Sequence, residues 1–280
     1  MQSDAQSKAP LNRKVLVTLA AGNYLQLLEM SRISFRDYAK KWGYDFVEVT
    51  ESWDKSRPYA WTKLLAIRDL LDKYDFVFYV DSDALILRDD IDISKISKTD
   101  FAWPVGPVNG KMCPNAGIMA IRSTDVSKKL FDLAYGQNDL IYNGWWEQAA
   151  LMRVLQYEDP RHHEKHWSEF HLERLPIGVT ELDSSWNSTI QEFASDPIIR
   201  HFAGDPFPLK LVLMAEYVLT RKPLRLDTNL TKDQDQLANE KYLMGRNEIF
   251  RLQVTLQDKL LRATRRVWAR VVKAPRYKYK

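Results

Sequence analysis

An unbroken apolar run, Phe76-Val77-Phe78-Tyr79-Val80, stops at Asp81-Ser82-Asp83. A run that is apolar at every position, not at alternate ones, reads as a strand buried on both faces. Strands of that kind belong to α/β sheets covered by helices, and ligands sit beyond their carboxyl ends. Two carboxylates emerging there repel each other unless a cation neutralises them. Hard divalent cations take such oxygen ligands and in turn hold phosphate oxygens. The motif therefore points to a metal-bridged diphosphate such as a nucleotide-sugar. An acidic pair capping a solvated turn has the same sequence, so the flanking segments have to decide.

Those segments spell out a β-α-β-α-β order. Lys14–Ala20 reads as a first strand. A turn at Ala21-Gly22-Asn23 leads to a helix through about Lys41, with Leu25, Leu28, Ile33 and Tyr38 as core candidates. Gly43 sits where a helix C-terminal glycine belongs. Asp45–Thr50 is a second strand. Pro58 precedes a helix near 60–72 that carries Trp61, Leu64, Leu65 and Leu71, and 76–80 is the third strand. This order predicts a parallel, Rossmann-like half. Further strands are expected at 101–105, 117–121, 172–177 and 198–202, and helices at 124–135 and 145–156. The polar segment 161–166, with His162, His163 and His166, reads as a loop.

The chain has 280 residues with 45% hydrophobic content, enough for one sizeable domain with an appendage. Its single cysteine, Cys113, excludes an internal disulfide framework and a cysteine-based zinc site. The polar start lacks the apolar core of a signal peptide, and no stretch has the apolar length needed to span a bilayer. A cytoplasmic location is expected. The net charge of +4 conceals an asymmetry, because residues 261–280 hold eight basic residues and no acid. The body is mildly acidic, and no nucleic-acid surface is expected on it. At helical spacing Leu260, Leu261, Thr264, Val267, Trp268 and Val271 share one face, and Arg262, Arg265, Arg266, Arg270 and Lys273 share the other. Such a helix can lie in an anionic membrane surface or dock on the body.

Several motifs, in order, resemble glycosyltransferase family 34, the galactosyl-, mannosyl- and xylosyltransferases. These are Tyr38-Ala39-Lys40-Lys41-Trp42-Gly43-Tyr44-Asp45, Trp61-Thr62-Lys63-Leu64, and Tyr74-Asp75 leading to Val80-Asp81-Ser82-Asp83-Ala84. Asn115-Ala116-Gly117 with Ile121-Arg122-Ser123, then Glu147-Gln148, then His201-Phe202-Ala203-Gly204 complete the set. The resemblance covers about residues 14–205. It implies a GT-A fold: an α/β, Rossmann-like, mostly parallel sheet flanked by helices. The expected organisation is a leader at 1–12, a catalytic domain at 13–205 and a helical extension at 206–280.

The resemblance also implies roles. Asp81, Asp83 and His201 would hold Mn2+ or Mg2+, with Asp83 closest to the ion. Ala20, Ala21, Asn23, Trp61, Lys63, Asp81, Ser82, Asn115, Gly117 and Gly204 would bind the nucleotide-sugar. Glu147 and Gln148 would serve catalysis, with Gln148 near the anomeric carbon, and the reaction would retain configuration. Asp183, Trp186 and Asn187 are candidate acceptor contacts. Donors would be UDP-sugars before GDP-sugars, and acceptors glycans or lipid-linked saccharides. Two rival readings are a non-catalytic nucleotide-sugar-binding or membrane-docking protein and a phosphatase of the haloacid dehalogenase type. The phosphatase also places an aspartate pair after an apolar strand, but early in its fold and with a different following residue.

Overall fold

The computed structural model of the protein describes residues 13–108, 111–158, 174–189 and 191–220. The chain divides after Arg221 into two units, and every described residue belongs to the first. The basic amphipathic segment, the leader and the histidines at 162, 163, 166 and 171 lie outside the described residues.

The elements follow in the order β1 (Lys14–Leu19), α1 (Tyr24–Trp42), β2 (Tyr44–Val49), α2 (Thr62–Leu70), β3 (Phe76–Val80) and β4 (Ala84–Ile86). Then come α3 (Ile93–Ile96), β5 (Phe101–Val108), β6 (Lys111–Pro114), β7 (Ile118–Arg122) and α4 (Asp125–Tyr135). The last are α5 (Trp146–Val154), β8 (Val179–Leu182), β9 (Ile199–His201) and α6 (Phe207–Thr220). The main sheet runs β2-β1-β3-β7-β5-β6, with β8 beside β5. The expected parallel half is present: β1 pairs in parallel with β2 and β3, aligning Leu16 with Phe46 and with Phe78. Beyond β3 the sheet is mixed, because β7 runs antiparallel to both β3 and β5.

Every residue of β3 is buried, which explains its continuous apolarity. Its odd-numbered side chains, Val77 and Tyr79, join a core with Leu64 and Ile67 of α2, Phe131 of α4 and Leu151 of α5. The even-numbered Phe76, Phe78 and Val80 join a second core with Phe35 and Tyr38 of α1 and with Trp186. The sheet is thus a middle layer between helices. Gly43 closes α1 at φ 68°, a left-handed conformation glycine adopts freely, and its N–H donates to the Ala39 carbonyl.

One strand is displaced from its expected place. Residues 174–177 are irregular, and the strand is Val179–Leu182, paired in parallel with β5. Pro176 has no N–H to give a ladder, so pairing begins only after it.

A second, two-stranded sheet decides the geometry of the site. β4 pairs antiparallel with β9, setting Ala84 opposite His201. The Phe202 N–H also donates to the Asp83 carbonyl at 2.9 Å. These backbone bonds bring the late histidine beside the acidic pair.

Candidate active site

The Asp81-Ser82-Asp83 turn is fixed by its backbone before any side chain matters. The Asp81 N–H donates to the Gly117 carbonyl at 2.8 Å, and the Ala84 N–H donates back to the Asp81 carbonyl at 3.1 Å. The turn presents two carboxylates to a cleft of about 670 Å3 lined also by Ala20, Ala21, Lys63, Asn115, Gly117 and Gln148. His201 enters from β9. Its Nε2 lies 3.3 Å from Asp83 Oδ1 and 3.7 Å from Asp81 Oδ2. One ligand atom from each of the three residues falls within 4.8 Å of the others. Gly117 keeps that space open: a Cβ there would stand 2.3 Å from His201 Cε1 and 2.8 Å from Asp81 Oδ2.

The two aspartates have different neighbours. Asp81 Oδ1 accepts from the Tyr79 hydroxyl at 2.5 Å and meets Lys63 Nζ at 3.2 Å. Lys63 is buried, and its ammonium also meets Glu147 Oε1 at 2.7 Å and the Ala116 carbonyl at 3.2 Å. Burial pushes the Glu147 carboxyl up, and Lys63 only partly offsets it. Burial likewise works against the Lys63 charge, but Asp81 and Glu147 hold it protonated above its ordinary range. Asp83 is buried, and its Oδ2 accepts from Lys210 Nζ at 2.6 Å. Burial opposes the Asp83 charge, yet His201 and Lys210 hold its carboxyl well below the usual range.

Residues 13–98 match the sequence profile of the galactosyl transferase GMA12/MNN10 family. A solved glycosyltransferase involved in glycosylation of the major capsid of PBCV-1 superposes with a TM-score of 0.56 at 14% identity, covering 73% of this chain and 99% of that one. The chain is a glycosyltransferase of the GT-A fold. The galactosyltransferase LgtC, solved with donor and acceptor sugar analogs, is a more distant structural match, with a TM-score of 0.46, 13% identity and coverage of 72% and 94%. No curated protein sequence matches the chain.

The glycosyltransferase gathers most of the residues expected for the donor. Ala20, Ala21, Lys63, Asp81, Ser82, Asn115, Gly117 and Gly204 all line the cleft, as do Glu147 and Gln148. Asn115 folds back so that its Oδ1 accepts from the Gly117 N–H, and Gln148 Oε1 accepts from the Ala116 N–H. Five expected contacts are elsewhere. Trp61 is fully buried in the core and donates its indole N–H to the Ile141 carbonyl, so it packs rather than lines. Asn23 lies outside the cleft lining, on the exposed turn that opens α1. Asp183 caps the turn Ser184–Trp186 by accepting from the Ser185 N–H, and Trp186 is buried in the second core. The remaining acceptor candidate, Asn187, is buried against His201.

Lys210 was not expected. It lies beyond the resemblance, in the segment taken as a helical extension, and α6 carries it to Asp83. Its signal in the sequence is faint: one lysine in the otherwise apolar run Phe207–Met214, nine residues after His201. Tyr79 is a second omission, since it reads as one more apolar strand residue, yet its hydroxyl bonds the first aspartate.

The residues fit a divalent cation. Two carboxylates and an imidazole suit Mn2+ or Mg2+ chemistry. A space that a single Cβ would obstruct lies between them, and Asp83 already holds one cation.

Proposed function

We propose that this glycosyltransferase moves a hexose or pentose from a nucleotide-sugar, with UDP preferred to GDP, to a glycan or lipid-linked saccharide. Its activity depends on Mn2+ or Mg2+ held by Asp81, Asp83 and His201, and configuration is retained. The observation that carries this reading is the convergence of those three side chains in one cleft of about 670 Å3. UDP and retention rest on the family resemblance.

Charge development assigns the roles. As the glycosyl–phosphate bond breaks, the diphosphate gains negative charge and the sugar becomes oxocarbenium-like. A bound divalent ion supplies Lewis-acid stabilisation of that diphosphate. Lys63 does not serve it directly, because its ammonium contacts Asp81, Glu147 and the Ala116 carbonyl. It fixes those carboxylates in place. Lys210 is the chain's own cation at Asp83, where it offsets the charge of that carboxylate. Gln148 is held beside the sugar position by its bond to Ala116. Glu147 Oε2 is buried without a hydrogen-bond partner, and it can accept from a sugar hydroxyl.

The test is a panel of nucleotide-sugars, with Mn2+ and with chelator, read as nucleoside diphosphate release. Metal-dependent release from one donor, lost in Asp83→Ala, supports the reading. Absence of both release and donor-induced thermal shift, from every donor, sinks it. A β-linked product from an α-linked donor sinks retention.

We also propose that residues 261–280 hold the enzyme on an anionic membrane at the cytoplasmic face. The support is the sequence pattern alone, each basic group near such a surface contributing about 1 kcal/mol. Among the described residues no helix is long and apolar enough to cross a membrane. Liposome flotation of the full chain against one ending near residue 255 decides it, and equal binding rules the tail out.

A further inference from the structure

We infer that Asn187 is a positioning residue that sets the tautomer and aim of His201, an assignment that rests on the metal-site reading of Asp81, Asp83 and His201. Asn187 Oδ1 lies 2.8 Å from His201 Nδ1, and both side chains are buried. An amide oxygen only accepts, so the ring nitrogen facing it carries the proton. In the neutral ring the lone pair is then on Nε2, which faces Asp83 Oδ1 at 3.3 Å and Asp81 Oδ2 at 3.7 Å. In that form three acceptors converge on one point, an arrangement that a divalent cation satisfies. The opposite tautomer would point a proton at that position and leave the Asn187 oxygen facing a lone pair.

The segment around Asn187 is built to hold this contact. Asp183 caps the turn before it, and Trp186 anchors that turn in the core. The Asn187 N–H donates to the Ser184 carbonyl at 3.1 Å. The next residue is stitched to β9 in both directions: Ser188 N–H to the Ile199 carbonyl at 3.0 Å, and His201 N–H to the Ser188 carbonyl at 2.9 Å. Arg200 Nη1 donates to the same Ser188 carbonyl at 2.8 Å. From the other side Gly117 lets the imidazole approach to a distance a Cβ would forbid. The ring is therefore gripped along its backbone, at its far nitrogen and on one flank. Asp183, Trp186 and Asn187 belong to this grip. Outer partners of metal-binding histidines commonly do this work by fixing ring orientation and basicity.

The experiment titrates Mn2+ into the chelator-stripped, full-length protein and reads free Mn2+ by electron paramagnetic resonance. Asn187→Ala is expected to weaken binding about 10–100-fold. Asn187→Asp, which keeps an acceptor against Nδ1, is expected to restore it. In a His201→Ala background, removing Asn187 adds no further loss. Parent-like affinity in Asn187→Ala, with His201→Ala weakened, overturns the positioning role and leaves the metal site standing. A parent protein that binds no Mn2+ overturns the metal reading, and this assignment with it. Should Asn187→Ala fail to fold, the 15N shifts of His201 in the metal-free parent decide, identified by difference from His201→Gln. For the neutral ring, protonation on Nδ1 alone is expected, and protonation on Nε2 alone overturns the inference.

Discussion

The two flanks of the acidic pair are built on opposite plans. On the Asp81 flank, Lys63 sits between Asp81 and Glu147 and also reaches the Ala116 carbonyl, while Tyr79 donates to the same aspartate. These groups come from α2, α5 and β3, all packed into the first core, so nothing there can shift alone. On the Asp83 flank, the partners are His201 at the end of β9 and a single ammonium on α6, the last described helix. The first flank is a closed scaffold. The second is exchangeable on the proposed reading, since Lys210 holds Asp83 Oδ2 while Oδ1 faces His201, so that a bound ion would share the carboxylate with the ammonium. A buried carboxylate needs a counter-charge whether or not substrate is present, and Lys210 supplies it.

The largest effect should come from the exchangeable flank. Asp83→Ala removes one carboxylate of the proposed metal set and the Lys210 anchor, and should lower Mn2+-supported nucleotide release by about a thousandfold, which corresponds to several kcal/mol of lost transition-state stabilisation. Chelation of the parent should match it; full activity in chelator would remove the basis for calling that flank exchangeable. Next, Lys63→Met leaves buried Glu147 and half-buried Asp81 without their cation and should destabilise the fold by about 3–5 kcal/mol. Urea unfolding measures it, and adding Glu147→Gln should recover part of the loss. Lys210→Met should cost less, and conditionally. Its destabilisation should be evident in chelator and shrink in saturating Mn2+, because the ion replaces the lost charge. Equal losses in both conditions would mean that Lys210 is scaffold like Lys63, and the contrast between the flanks would disappear.

Sequence reading found the first flank far better than the second, for physical reasons. The β3 strand is buried on both faces, so its apolar run is unbroken, and the turn that ends it carries its acids one residue apart. Local patterning also located α1, with Gly43 in the left-handed conformation, and α2, which aims Lys63. It failed where tertiary packing decides. Trp61 and Trp186 have the side chains of sugar-stacking residues but lie in the two cores, and no period distinguishes a lining tryptophan from a packing one. Asn187 reads as an acceptor contact, but its partner is a histidine fourteen residues on, joined to it by strand pairing. Lys210 is invisible without α6, because nothing in an isolated lysine says that a helix will bury it against a carboxylate far up the chain.

The smallest effect is also the one that separates the flanks most directly by sign. In metal-free protein the Asp83 carboxyl is held below its ordinary range by the Lys210 ammonium and by His201 when that ring is protonated, against the cost of burial. Between that folded value and the unfolded value near 4, the unfolded chain binds the extra proton, so stability rises with pH and is lost as pH falls. Glu147 is held above its ordinary range by burial. Between the unfolded value and that raised value the folded protein binds the extra proton, so its share of stability falls as pH rises. Unfolding free energies of parent, Asp83→Asn and Glu147→Gln across acid pH should therefore diverge in opposite directions. Asp83→Asn should lose ground to the parent as pH climbs through the carboxylate range, and Glu147→Gln should gain on it. Parallel curves would mean that the two carboxylates share one electrostatic environment, and that Lys63 and Lys210 do the same job on either side of the turn.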